Sequence, residues 1–180
     1  MNRINKVVII ISLLGVATPV LILVGSEPTY LRNVFGSVQE HGYQITFTAT
    51  ALGDIPKNAD DFIKSKPAVG YSWTDLKSKK AVVAVIHTLT GPDSAQNPYG
   101  WHVHDITLAG GATKLHEFCL GSIDSSPYVD MAINGQKISV SLDRNSLPTG
   151  ETPASLNSVF GFVLSHDAKC DSGVAVKTSS

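Results

Sequence analysis

Apolar and polar residues alternate along most of the chain from residue 43 onward. In residues 43–52, Ile45, Phe47 and Ala49 are separated by Gln44, Thr46 and Thr48, a period of two that predicts a half-buried strand. Residues 68–76, 81–89, 101–108, 159–167 and 172–178 predict further strands, 81–89 (AVVAVIHTL) is strongly β-branched, and LHEFCLGSI at 115–123 is left without an assigned element. Residues 128–143 read as a hairpin, two alternating runs joined at Asn134-Gly135. Loops are expected at 53–67, with one helical turn after Asn58, at 90–100 and at 144–158. About eight antiparallel strands with little helix predict an all-β domain, a Greek-key β-sandwich or barrel. No internal repeat is visible.

The first 26 residues follow a different pattern. Arg3 and Lys6 precede an apolar run from Val7 to Gly25, and no charge follows until Glu27. A signal-peptide core has about 7–15 residues, whereas a spanning helix needs about 17–25. The length favours an N-terminal hydrophobic helix kept as a membrane anchor, and a cleaved signal is the alternative. Either one exports the rest of the chain, with the positive residues left inside. The expected organisation is an anchor or signal at 1–26, a linker at 27–42 and one domain at 43–180. That domain is expected outside the cytoplasmic membrane, anchored to its outer face or secreted.

Composition narrows the function classes. The chain has 180 residues, 43% hydrophobic and 16% charged, enough to form a core. Its formal net charge of −1 argues against nucleic acid as a partner. Cys119 and Cys170 both fall in the exported part, where a disulfide is expected. Such a bridge would close a loop of roughly 50 residues and contribute about 4 kcal/mol in the chain-entropy model. Free buried thiols or metal-bound thiolates are the alternatives.

The candidate chemistry lies in the six histidines, above all in YGWHVHDI at residues 99–106. On a strand, His102 and His104 project from one face about 7 Å apart, while Val103 points the other way, into the core. Imidazoles in that arrangement suit copper or zinc, and a solvated strand face is the plainer alternative. Trp101 and Ile106 flank the pair with apolar surface, and His116 and His166 sit at the ends of other strands. His87 shares a face with Val83 and Val85 and reads as a core-edge or surface histidine. His41 precedes Gly42 in a turn and reads as solvent-exposed. Trp73 and Trp101 read as packing residues, with Trp101 also placed to shield a metal.

GWHVHD resembles the G-F-H-V-H-E signature of the Cu,Zn superoxide dismutases. AVVAVIHTLTGP, HEFCLGSI, VFGFVLSHD and CDSGVAV resemble further segments of that family, in the family's order, from about residue 68 to 178. The resemblance implies a dismutase-like sandwich with one copper ion per chain. His102, His104 and His166 would be copper ligands and catalytic residues, and Cys170 would be half of the family disulfide. It also implies a possible homodimer.

The departures from that pattern are specific. Only 11 residues separate His104 from His116, and the G-x-H-F-N-P bridging motif is missing. Cys119 stands where the family has its zinc aspartate, so no zinc site is expected, and His116 becomes a candidate fourth copper ligand or a surface loop residue. Cys170 follows His166 by four residues, and Asp167 stands at the place of the family's anion-guiding arginine. Lys169 is a candidate substitute as a point charge, without the planar fork of arginine. Shortened loops resemble the copper-only members of the superfamily. In those members a glutamate can orient a copper histidine, and Glu117 is the candidate here.

The expected function is that of an exported copper-dependent superoxide dismutase cycling between Cu(II) and Cu(I). The alternatives are a copper carrier or store that exchanges the metal with copper-donating or copper-accepting proteins, and a structural sandwich that binds no metal. No G-x-S-x-G, P-loop or G-x-G-x-x-G is present. Ser165, His166 and Asp167 are adjacent in sequence, unlike triad members, which meet in space from separate segments.

Overall fold

The computed structural model describes residues 28–57, 68–87, 100–110, 117–124 and 129–179. The expected N-terminal helix of residues 1–26 and the helical turn after Asn58 lie outside these residues. Among the described residues, no helix is long and apolar enough to cross a membrane.

Ten strands form two sheets: β1 (Phe35–His41), β2 (Gln44–Thr50), β3 (Ala68–Asp75), β4 (Lys80–His87), β5 (His102–Ala109), β6 (Glu117–Ile123), β7 (Asp130–Asn134), β8 (Lys137–Asp143), β9 (Ser158–His166) and β10 (Val174–Thr178). One sheet has four strands in the order β1-β2-β8-β7. The other closes on itself as a six-stranded barrel, β10-β6-β5-β4-β3-β9, and every pairing in both is antiparallel. The all-β expectation holds, with more strands than the eight anticipated.

The added strands are β1 and β6. Residues 35–41 were expected within the linker, yet they pair along their whole length with β2. Six of the seven β1 residues are exposed, so the strand has little apolar periodicity and is held by its ladder of backbone bonds. A second difference concerns the hairpin after β7. Asn134 is the last residue of β7 and pairs with Lys137, so the two-residue turn is Gly135-Gln136 rather than Asn134-Gly135. Gly135 takes a φ of 57°, which suits glycine at the first central position of a hairpin turn.

Two cores result from this layering. The first lies between the four-stranded sheet and the barrel wall. It joins Ile45, Phe47 and Val140 to Tyr71, Trp73, Ile86 and Val103. The Trp73 ring meets Phe47 edge-on at 5.5 Å, and its Nε1 donates to the Thr48 carbonyl at 3.0 Å, tying barrel to sheet. The second core fills the barrel with the opposite faces of the same strands, including Val83, Val85, Ile106, Leu120 and Phe162. Strands β3 and β4 are therefore buried on both sides, which is why 81–86 reads as a continuous apolar run instead of alternating. On β6, Gly121 is skipped in the pairing with β5, since Thr107 faces Ser122 and Leu108 faces Leu120. Such a bulge sharpens the local twist and helps the sheet curl shut.

Candidate metal centre

The β4–β5 ladder builds the site. Val85 stands opposite His102, and Val83 opposite His104. Residues two apart on a strand share a face, so His87, two beyond Val85, joins the same face at the strand end. The His87 and His102 rings meet edge to face with centroids 4.7 Å apart. His102 and His104 do the same at 4.8 Å. One ring nitrogen from each of the three lies within 4.8 Å of the other two. His104 is only 5% exposed, while His87 and His102 are half-buried.

Backbone carbonyls orient two of the rings. His102 Nδ1 lies 3.3 Å from the Gly100 carbonyl oxygen, and His104 Nδ1 lies 3.2 Å from that of Asp124. A carbonyl only accepts, so in each bond Nδ1 is the donor, and Nε2 is left as the nitrogen that would ligate a metal. The donor set is all imidazole, with no carboxylate or thiolate in the group. Such a set fits copper or zinc and disfavours calcium or magnesium.

The surroundings are apolar. His87 and His104 line a cavity of about 180 Å³ inside the barrel, with Val85, Ile106, Phe162 and Leu164 among its other walls. Among the described residues, no lysine or arginine lines it. On the opposite face of β5, Asp105 is half-buried. Burial first, and then the nearby Asp124 carboxylate, push its pKa up from the ordinary value to about 6. Trp101 also points away from the histidines. It stacks on Tyr71 at 5.6 Å and donates from Nε1 to the Pro56 carbonyl at 2.8 Å. It packs in the first core and does not shield the trio.

Compared with known proteins, the chain matches no family model, no curated protein and no solved structure. Its function must then be argued from the chemistry of the site.

The other expected residues are dispersed. His166 is the last residue of β9, exposed and opposite Val174, and it is not part of the trio. His116 lies outside the described residues. Glu117 opens β6 opposite Lys177, two residues beyond the Cys119–Ala109 pair, toward the Ala109 end of β5 and away from His102. Lys169 is exposed in the turn between β9 and β10, where its backbone N–H donates to Asp167 Oδ1 at 2.9 Å. Cys119 and Cys170 form a disulfide, so neither is free for a metal. Lys169 and Cys119 border a separate cavity of about 450 Å³.

The residue that the sequence reading left out is His87. Its parity with Val83 and Val85 already placed it on one face of β4. What the sequence lacked was the register between β4 and β5, because the long connection at 88–99 does not fix it.

Proposed function

We propose that this chain is an exported copper protein that dismutes superoxide, with one copper ion held by His87, His102 and His104. The observation that carries the reading is the trio itself: three imidazole nitrogens within 4.8 Å of one another, two of the rings oriented by backbone carbonyls. The ordered resemblance of residues 68–178 to the copper dismutases supports the same reading. Copper, when bound there, supplies one-electron exchange with superoxide. The chain's own part is to hold the imidazoles preoriented, to bury one side of the centre against apolar walls, and to leave His87 and His102 partly accessible to a small reactant. Residues 1–26 would keep the domain at the outer face of the membrane or release it after cleavage.

A second reading, a copper carrier or store serving other exported proteins, is favoured by the absence of lysine and arginine among the described residues of the cavity walls beside His87 and His104. Electrostatic focusing of an anion raises on-rates by about 10–10³ where cationic walls exist. The deciding experiment loads the full chain, purified in mild detergent and oxidised, with copper and measures stoichiometry and superoxide removal together. One copper per chain with turnover, both lost in His102→Ala, is the expected result. One copper with background turnover moves the assignment to a carrier. No bound copper overturns both.

A further inference from the structure

We propose that the partly open apolar pocket among the inward residues of the six-stranded barrel is a binding site for a small uncharged aromatic molecule of about benzene size. The site adjoins the histidine trio through His87 and His104, but the proposal goes beyond the copper reading and does not rest on a bound metal.

Protein interiors are normally filled to crystal-like density. Beside its packed core this barrel keeps a partly open apolar pocket, and small inward residues accompany it. The inward positions of β3 are Ala68, Gly70, Ser72 and Thr74, and those of β4 begin with Ala81, Val83 and Val85. The space left is about 180 Å³, walled by Val83, Val85, Ile106, Leu120 and Phe162, with His87 and His104 at its border. An apolar cavity of ~150 Å³ with aliphatic and aromatic walls stays dry and admits benzene or xenon.

Three of the bordering side chains are rings. Aromatic rings prefer edge-to-face or offset contact at about 4.5–7 Å between centroids, so Phe162 and the two imidazoles favour a flat ring over an aliphatic chain. With no lysine or arginine among the described residues of the wall, an anionic ligand would lose its hydration without recompense. The chemical class is therefore a neutral single ring.

The test uses the full-length, oxidised, metal-free protein with a chelator present, so its outcome does not depend on copper binding. Benzene, phenol and benzoate are titrated by calorimetry, and thermal unfolding is followed alongside. Expected are saturable one-to-one binding of benzene and phenol, a raised Tm, and benzoate at least about 100-fold weaker, as expected when a charge is buried unpaired. Val83→Phe should fill the space and weaken benzene at least about tenfold. Should that variant fail to fold, Leu120→Ala enlarges the space and should shift preference toward a two-ring probe, naphthalene. The proposal is overturned if the folded protein shows no saturable binding, if benzoate binds as well as benzene, or if neither substitution changes the affinity order.

Discussion

Val85 of β4 lies directly opposite His102 of β5, and this register position decides the composition of the histidine cluster. Shifting the ladder by one residue would send the imidazoles of one strand to the other core. With the observed register, His87 lies next to His102 even though fourteen residues separate them in sequence. His87→Ala should therefore weaken copper binding as much as His102→Ala does, by at least about 100-fold, beyond what loss of an outer-shell partner causes. His166→Ala should leave the affinity within about threefold, since its ring lies outside the trio. Competition with a chelator of known affinity reads all three. An unchanged affinity in His87→Ala would remove that residue from the centre.

Asp105 gives the metal-free fold a pH dependence opposite to that of a salt-bridged carboxylate. Its folded pKa is about 6 against an ordinary 3.8, with burial as the larger cause and Asp124 the second. Between these values the unfolded chain has lost a proton that the folded chain still holds. The contribution of Asp105 to stability therefore falls as pH rises from about 4 to about 6, and stays low above that. Solvent screening of this half-exposed group limits the loss to ~1 kcal/mol. Urea unfolding at pH 4.5 and pH 7 should show Asp105→Asn gaining more on the parent at the higher pH.

Reduction of Cys119–Cys170 should cost about as much as a large core truncation. The bridge spans 51 positions, for which loop-closure entropy gives about 4 kcal/mol. The double variant Cys119→Ser/Cys170→Ser should unfold at a markedly lower Tm and gain nothing from an oxidant. A Tm equal to that of the parent would show that the strand ladders alone hold the barrel shut.

Gly70 is constrained by its neighbours, not by its dihedral angles. A Cβ there would sit 2.4 Å from the Ala84 carbonyl oxygen and 2.7 Å from Phe162 Cζ. The ring can move, but the backbone oxygen of a paired strand cannot. Gly70→Ala should destabilise by about 1–3 kcal/mol, the usual cost of overpacking. It should also push Phe162 into the cavity, weakening benzene there.

The legible part of this fold is the part with one buried face. Strand β2 alternates strictly, and Ile45, Phe47 and Ala49 turned inward as their spacing required. Strand β1 was not legible, because its residues are mostly exposed and only its partner's backbone makes it a strand. The pairing of Cys119 with Cys170 followed from their expected compartment. At the site, His102 and His104 were legible because two-residue spacing fixes a shared face whatever the fold. Bringing His87 to them required a register that no local pattern encodes, and the separation of Trp101 from the histidines follows from the same alternation read one residue earlier.

Among the described residues, strands β6 and β10 meet at three positions, Glu117–Lys177, Phe118–Val176 and Cys119–Ala175. This is the join that turns a sheet into a cylinder, and its two halves are made far apart in time. During synthesis, β6 emerges more than fifty residues ahead of β10 and waits with one backbone edge bare. A chain stalled or clipped before Val174 would keep that edge open and would be prone to add strands from other molecules. Completion of the C-terminus thus acts as a checkpoint, and the bond from Cys119 to Cys170 records that the chain has passed it.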